Sequence, residues 1–278
     1  MGLPWWMFLG LYAGIGTLLL SPHDVRADPS LWFRALSTHK VKTTITSYPT
    51  IKQCISSLDD VPVLKNKGVQ LEHVENIVVE AAGRTRADVL THFTTKFAPL
   101  GIRTNAVSSA FGCAANVAVT MRGKVPEEPT TLYLDLQALR QDRIRHVSKG
   151  QPNSIAVHDS GKLLPMMQLA VANPEDGTMC NDAEVGEIWI ASPFNGKGYY
   201  GNDEESKALF QCTFPGNKGH FARSGYLGFS QRNDKTGQDE VFIVGALEDS
   251  FMANGYRYYP DDVEQAVEKC SRRIYPVR

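Results

Sequence analysis

The sequence lacks an excess of charge of either sign. Its 278 residues carry 29 lysine and arginine side chains against 30 aspartate and glutamate side chains. Because proteins that bind nucleic acid or an anionic membrane present a basic patch, the balance predicts no direct nucleic-acid ligand. With 42% hydrophobic residues the chain has the material for a sizeable core, and its length favours two compact units.

The sequence also lacks the cysteine spacings that are typical of disulfide frameworks and zinc sites. The five cysteines are odd in number and widely spaced, without a C-x-x-C pair or a Cys/His cluster at zinc-site spacing: Cys54, Cys113, Cys180, Cys212 and Cys270. No N-x-S/T glycosylation site occurs. These absences predict free thiols, no metal site and a cytoplasmic protein.

The common catalytic signatures are missing as well. The sequence has no G-x-x-x-x-G-K-[ST], G-x-S-x-G or H-E-x-x-H string, and its seven histidines are dispersed. The segment "AGIGTLL" supplies Gly14 and Gly16 but no third glycine, and a predicted strand rather than a helix follows it. This excludes a typical dinucleotide-binding fingerprint.

The first stretch, "MGLPWWMFLGLYAGIGTLLLSP", has no charged side chain before Asp24. Its length allows a membrane span or a signal peptide, and both alternatives stay open. No basic residue precedes the apolar run, and Pro4 and glycines interrupt it, which favours a buried α/β core with a helix over 5–12 and a strand over 17–20. Such a patch would be exposed in an isolated chain, so we expect the chain to be a fragment of a longer polypeptide.

Three regions follow from the hydrophobic pattern. Residues 1–120 alternate strand-like and helical segments, which predicts a parallel-sheet α/β subdomain. Residues 121–247 contain strands separated by turn signals, which predicts a small antiparallel β-barrel subdomain. Residues 248–278 are predicted to hold a hinge and the start of a C-terminal α+β subdomain, with a helix opening at Pro260.

The stretch "HFARSGYLGFS", residues 220–230, reads as two strands joined by a tight turn. Tyr226 lies at the predicted apex, where a polar side chain would enter a site. A phenol is an unusual residue there, because it offers one donor and one acceptor direction and lacks the paired oxygens of a carboxylate.

Four strings carry a specific resemblance. They are "SSAFGCAAN", "GEIWIASPFNGKGYY", "HFARSGYLGF" and "VGALEDSFMANGYRYYPDDVE", in that order along the chain. Together they resemble the adenylate-forming superfamily, and within it the fatty acyl-AMP ligase branch. The resemblance implies the fold of those enzymes, with ATP or AMP and Mg²⁺ as cofactors if the nucleotide site is functional, and an acyl chain or lipid-derived molecule as ligand.

The resemblance narrows further with "FGC", "TTLYLDLQALRQDRIRHVSKG" and "ARSGYLGF". These segments look like the second adenylation-like domain of the disco-interacting protein 2 family, truncated at both ends. The resemblance implies a role in lipid metabolism, diacylglycerol balance in particular, and the rest of the parent polypeptide as a partner. It also implies the absence from this chain of the phosphate loop and the late catalytic lysine.

Three positions depart from the pattern of active relatives. Ala115 stands where they have a glutamate for Mg²⁺, Tyr226 where an aspartate binds both ribose hydroxyls, and Ala246 where an arginine reaches the ribose. Losing two charge-assisted hydrogen bonds costs about 3 to 6 kcal/mol, or about 10²- to 10⁴-fold in nucleotide affinity. The resemblance therefore implies a degenerate nucleotide site.

The resemblance assigns two groups of residues. The vestigial nucleotide site comprises Ser109, Phe111, Gly112, Cys113, Ala114, Arg223 and Tyr226, with no residue assigned as catalytic. Phe111 is expected to offer an aromatic face to an adenine-sized ring. Glu248 and Asp249 occupy the position of the hinge. Ordinary packing and turn formation are the alternative role for Phe111 and for Glu187.

Three hypotheses about function remain. The first is an acyl or lipid recognition and regulatory module built on a degenerate adenylate-forming domain. The second is an active fatty acyl-AMP ligase that uses unfamiliar ligands, with Arg223 and Tyr226 contacting ribose or phosphate. The third is a truncated product that does not fold alone.

Overall fold

The computed structural model describes residues 8, 10–81, 83–122, 130–215, 219–233 and 237–270. The chain divides into two compact units. The first comprises Met1–Ala81, Arg86–Gly112 and Met121–Glu128, and the second comprises Ala82–Thr85, Cys113–Thr120 and Pro129–Arg278. The three-part division with boundaries after residues 120 and 247 stays a prediction.

The first unit alternates helices and strands, as predicted. Its helices are α1 (Gly10–Ala13), α2 (Pro22–Ala27), α3 (Ser30–Thr38), α4 (Tyr48–Ser57), α5 (Val61–Asn66) and α6 (Ala87–Phe97). Its strands are β1 (Thr43–Ser47), β2 (Asn76–Glu80) and β3 (Val107–Phe111). β1 pairs with β2 and β2 with β3, both in parallel. The pairing confirms the parallel α/β layer.

An aromatic cluster fills the core of the first unit. Phe33, Phe93 and Phe97 are all fully buried, and the rings of Phe33 and Phe97 lie 4.7 Å apart. They come from α3 and α6, whose apolar positions recur at helical spacing and so form one face on each helix. β2, whose central residues are all buried, packs into the same cluster. This burial anchors β3, the strand that leads into the candidate site.

Antiparallel strands dominate the second unit. A short strand β4 (Thr120–Met121) lies where the two units meet in the sequence. The strands that follow are β5 (Thr131–Asp135), β6 (Ser154–His158), β7 (Lys162–Leu163), β8 (Gln168–Ala172), β9 (Gly186–Ala191), β10 (Ala222–Arg232), β11 (Asp239–Ala246), β12 (Phe251–Ala253) and β13 (Tyr256–Tyr258). The helices are α7 (Leu136–Leu139), α8 (Asp203–Phe210) and α9 (Pro260–Cys270). The last helix begins at Pro260, as predicted.

The strand order within the second unit is β7-β11-β10-β9-β8, and β5-β6 and β12-β13 form separate two-stranded sheets. The β10–β11 and β9–β10 pairs are antiparallel, which confirms the predicted antiparallel region. Within the described ranges these strands do not close into a barrel. A second core beneath β10 and β11 contains the stacked rings of Phe229 and Phe242, 5.0 Å apart.

Most of the described apolar side chains at the start of the chain are exposed, whereas a buried core was expected there. The described side chains of Leu11, Tyr12 and Leu19 are 78%, 93% and 68% exposed, and no strand forms over 17–20. Helix α1 is only four residues long and Gly14 follows it with φ +64°, and Leu20 at the end of the stretch is partly buried against the core of the first unit. The predicted helix over 5–12 lies partly outside the described residues. None of the helices that the structure describes is long and apolar enough to cross a bilayer.

The predicted strand-turn-strand around Tyr226 is wrong in its topology. Residues 222–232 form the single strand β10, and the chain does not reverse. The pairing of β10 with β9 jumps from Arg223–Trp189 to Leu227–Glu187, so β10 accommodates extra residues as a β-bulge. Gly225, with φ +76°, supplies the left-handed backbone that resembled a turn in the sequence.

Candidate functional site

A buried carboxylate on β9, that of Glu187, holds the bulge of β10 in place. Glu187 on β9 is only 1% exposed, so its charge requires partners inside the protein. Arg223 supplies two of them, because its Nε and its Nη2 both lie 2.7 Å from Oε2 of Glu187. Trp189 Nε1 donates to the same oxygen at 3.1 Å. The ion pair raises the pKa of Arg223, chiefly through the hydrogen bond to Glu187.

The second oxygen of Glu187 holds the backbone of the bulge. The amide of Gly225 donates to Oε1 at 3.0 Å, and the Oγ of Ser224 accepts the amide of Tyr226 at 3.0 Å. On the opposite side the amide of Leu247 donates to the carbonyl of Gly225 at 2.8 Å. The bulge is therefore fixed by one buried carboxylate, one hydroxyl and one backbone contact, and the side chain of residue 226 contributes to none of these bonds.

Tyr226 and Ala246 are direct cross-strand partners in the β10–β11 pair. Side chains of such partners project from the same face of a sheet, about 5 Å apart at Cβ. Two positions that the resemblance predicts to differ from active relatives are thus neighbours. Tyr226 is half-buried, as is Ala246. This face carries the phenol of Tyr226 beside the methyl group of Ala246, and neither of these two side chains is charged.

Ala115 lies in a loop that is tied to a second loop. The amide of Gly196 donates to the carbonyl of Ala115 at 2.8 Å, and Asn116 Nδ2 donates to Asn195 Oδ1 at 2.9 Å. Asn195 Nδ2 in turn donates to the carbonyl of Ile190 on β9 at 2.8 Å. Asn116 and Asn195 therefore determine the position of Ala115. Sequence reasoning missed both, although each lies inside one of the strings that carry the resemblance.

Cys113 opens the same loop. Its amide donates to the carbonyl of Asn116 at 2.8 Å. Burial raises the pKa of the Cys113 thiol, and the charge of Glu187 raises it further, against hydrogen bonds from the amides of Asn116 and Ala115. The thiol is therefore protonated at neutral pH and is not an activated nucleophile. Ala114 is exposed beside it.

The other residues of the predicted nucleotide site lie at the end of β3 in the first unit. Ser109 is 3% exposed, Phe111 is fully buried and Gly112 is half-buried. In this structure the ring of Phe111 has no face open to a ligand. Its stacking on an adenine-sized ring, and the binding roles of Ser109 and Gly112, stay predictions.

The predicted hinge lies directly after β11. Glu248 and Asp249 are exposed, and the amide of Ser250 donates to the carbonyl of Leu247 at 3.2 Å across them. The pair therefore occupies a surface turn, and its role as a hinge stays a prediction.

The described residues contain no cluster of metal-ligating side chains. No three His, Cys, Asp or Glu side chains converge at metal-binding distance within the described ranges. Ala115, which the resemblance predicts to occupy the position of a metal-binding glutamate, has no oxygen in its side chain, whereas Mg²⁺ prefers carboxylate oxygens. We assign no step to a metal here.

Comparison with known proteins shows what the chain is similar to. The family model described as "AMP-binding enzyme" matches residues 1–200. The chain is 35% identical to human disco-interacting protein 2 homolog A over 285 residues, which covers 99% of this chain and 18% of that protein. It is 28% identical to the medium-chain-fatty-acid–[acyl-carrier-protein] ligase JamA of Moorena producens, covering 93% of this chain and 43% of the ligase.

A solved structure supports the fold. The chain superimposes on a fatty acyl-adenylate ligase from L. pneumophila, in complex with acyl adenylate and pyrophosphate, with a TM-score of 0.78 and 22% identity. The match covers 89% of this chain and 41% of the ligase. The fold is therefore that of adenylate-forming enzymes. The chain spans about a fifth of the length of its human relative and less than half of either ligase.

Proposed function

The chain belongs to the AMP-binding enzyme family, and from this premise we propose that it is a degenerate adenylate-forming domain that recognises an acyl chain or a lipid-derived molecule. In this proposal it regulates lipid metabolism, diacylglycerol balance included, as part of a longer cytoplasmic polypeptide, and it does not activate acyl groups itself. The similarity to disco-interacting protein 2 homologues and to fatty acyl-AMP ligases supports the lipid theme.

One observation carries the proposal: Tyr226 lies opposite Ala246 on a bulge that keeps its support. Family members use ATP or AMP, typically with Mg²⁺, so a ribose contact and a metal ligand are central to their chemistry. Here the phenol and the two alanines provide neither, whereas Glu187 still pairs with Arg223 at 2.7 Å. The scaffold of a nucleotide site is combined with a face that lacks the charges for binding nucleotide.

Nucleotide binding is the first test. Calorimetry of the chain with ATP should give no saturable binding in the micromolar range. Micromolar affinity that is abolished in Tyr226→Phe, and retained in the control Tyr200→Phe at a fully exposed tyrosine, would contradict the proposal.

Acyl binding is tested separately. Titration of the chain with a fluorescent long-chain fatty acid should give saturable binding that added ATP leaves unchanged. Absence of saturable binding would reject acyl recognition without restoring the enzymatic hypothesis.

An active fatty acyl-AMP ligase is the competing function, and the relation to the ligase JamA favours it. The measurement that separates the two is pyrophosphate release that depends on a long-chain fatty acid. We expect release at background level. Fatty-acid-dependent release that is lost in Tyr226→Phe would establish the ligase instead, with the phenol as its ribose or phosphate contact.

A further inference from the structure

The sequence contains two asparagine–glycine pairs, and the structure places them in different surroundings. Asn195-Gly196 lies in the loop that is bonded to Ala115, and Asn254-Gly255 forms the loop of the hairpin β12–β13. Asparagine loses its side-chain amide fastest when glycine follows it, because glycine has no Cβ to shield its backbone nitrogen from the neighbouring side chain. The two pairs therefore share one chemical reactivity, and only the contacts around them differ.

This deamidation needs water as its only co-reactant. The backbone nitrogen of the glycine attacks Cγ of the asparagine side chain, and an N–C bond forms. The bond between Cγ and Nδ2 breaks, and Nδ2 leaves as ammonia with the proton that the backbone nitrogen has lost. Water then opens the resulting succinimide ring at one of its two carbonyl carbons, which gives aspartate or isoaspartate. The first step requires that the backbone nitrogen and Cγ approach to about 3 to 3.5 Å.

Three hydrogen bonds, which we call the loop clamp, hold the reacting groups of Asn195-Gly196. The Oδ1 of Asn195 accepts Asn116 Nδ2 at 2.9 Å, and its Nδ2 donates to the carbonyl of Ile190 at 2.8 Å. The amide of Gly196, the attacking group, donates to the carbonyl of Ala115 at 2.8 Å. Attack requires this amide to turn toward Cγ of Asn195, which breaks the clamp. Breaking three such bonds slows the reaction by about 100-fold.

The pair Asn254-Gly255 has no such restraint. Ala253 pairs with Tyr256, so the two residues form a two-residue hairpin loop, and their φ angles of +52° and +77° fit this loop. Both residues are exposed. Within the part of the chain that the structure describes, no hydrogen bond restrains the side chain of Asn254 or the amide of Gly255. An exposed loop tip fluctuates locally, so the Gly255 nitrogen reaches Cγ of Asn254 without breaking a hydrogen bond of its own.

We propose that Asn254 is a site of spontaneous deamidation in this protein, and that the loop clamp protects the same pair at Asn195. Conversion at Asn254 makes the formal net charge of −1 one unit more negative, and isoaspartate adds one atom to the backbone of a two-residue loop. Conversion at Asn195 would replace the donor to the Ile190 carbonyl by a carboxylate oxygen, so the clamp also preserves the loop that carries Ala115. This inference holds whether or not the candidate site binds a nucleotide.

Incubation of the chain in mildly alkaline buffer, with mass spectrometry of its peptides over time, tests the proposal. We expect conversion at Asn254 first, with conversion at Asn195 about 100-fold slower. Asn153 is the internal control, because it is exposed and has φ +61° but is followed by serine, whose Cβ shields the backbone nitrogen. It should remain asparagine while Asn254 reacts. In urea, where the loop clamp is absent, the two asparagine–glycine pairs should react at similar rates.

Two variants test the causes of the difference. Asn116→Ala removes one bond of the loop clamp, so conversion at Asn195 should become about 5-fold faster while conversion at Asn254 is unchanged. Gly255→Ala adds a Cβ beside the attacking nitrogen and should slow conversion at Asn254. Conversion of Asn254 as slow as that of Asn153 would overturn the proposed site. Equal rates at Asn254 and Asn195 in the folded chain, or a difference that persists in urea, would overturn protection by the clamp.

Discussion

Two regions of the candidate site differ in charge: the support holds a buried ion pair, whereas the face carries the uncharged side chains of Tyr226 and Ala246. In the support, the buried Glu187 holds Arg223 and the bulge through bonds of 2.7 to 3.0 Å. On the face, Tyr226 lies opposite Ala246, and Ala115 lies in a separate loop. The support and the Tyr226–Ala246 pair share strand β10 and its neighbours β9 and β11, so both belong to one folded sheet.

The support and the face are subject to different physical constraints, folding stability in the first and ligand affinity in the second. A buried carboxylate without partners costs several kcal/mol of folding free energy whether or not a ligand is present. A residue whose side chain contacts only the ligand affects the binding affinity and leaves the free energy of unfolding nearly unchanged. The support is therefore tied to stability and the face to affinity, and this difference can be measured.

The largest expected effect is a gain of binding on the face. The double variant Tyr226→Asp/Ala246→Arg restores two charged groups to adjacent positions on a bulge that is already fixed. We expect its affinity for AMP to rise by about 10²- to 10⁴-fold, or about 3 to 6 kcal/mol, by calorimetry. AMP is the suitable probe because Ala115 still supplies no metal ligand. An unchanged affinity would show that the support does not position the face.

The next effect is a loss of stability in the support. Glu187→Ala leaves Arg223 without its carboxylate and removes the acceptor of Gly225, so the free energy of unfolding should fall by about 3 kcal/mol. Urea denaturation measures this value, with Glu204→Ala on the exposed surface of α8 as the control. If Glu187→Ala unfolds at the same urea concentration as the control, the support does not stabilise the protein.

Two glycines on β10 allow the cost of a steric clash to be distinguished from the cost of an unfavourable backbone conformation. At Gly228 an added Cβ would lie 2.4 Å from the carbonyl oxygen of Phe242, so Gly228→Ala should lower stability by about 2 kcal/mol. At Gly225 an added Cβ meets no heavy atom within 4 Å, and only the φ of +76° opposes alanine. Gly225→Ala should therefore cost about 1 kcal/mol. Equal or reversed costs in the same denaturation assay would refute the bulge geometry.

The smallest effect concerns reactivity rather than stability. Because burial raises the pKa of Cys113, less of its thiol is ionised at pH 8 than in an exposed cysteine. Iodoacetamide should label Cys270, which is exposed, before Cys113. The rate at Cys113 should rise with pH as the thiolate forms, and mass spectrometry of the labelled peptides follows both sites. Faster labelling of Cys113 would mean that its loop opens readily.

Local sequence patterns predicted most of the fold. The β-branched run of β1, the proline at the start of α9 and the alternation of strands and helices in the first unit all depend on neighbours within a few residues. The bulge was missed because Gly225 in a turn and Gly225 in a bulge share the same left-handed backbone. The exposure of the described side chains near the start of the chain, such as Leu11 and Tyr12, differs from the predicted buried core, because apolar composition alone does not reveal which surface a segment packs on.

The site was harder to predict because its contacts join distant positions. Glu187 and Arg223 are 36 residues apart, and their pairing depends on the register of β9 against β10. The proximity of Tyr226 to Ala246 depends on a further register shift between Leu227 and Gly228. Resemblance identified the altered positions one by one, but only the strand register shows that two of them share one face.

The bulge in β10 has a consequence for mutational tolerance. Between Arg223 and Leu227 the strand leaves its β9 ladder, so the residues between these two have no paired position on β9. A change at residue 226 therefore leaves the β9 ladder intact, whereas a deletion there would shift every later side chain of the strand to the opposite face. The side chain at position 226 can therefore change while the strand pairing is kept, whereas the number of residues in the bulge is constrained. In this way a sheet can exchange the side chains that bind a ligand without changing its fold.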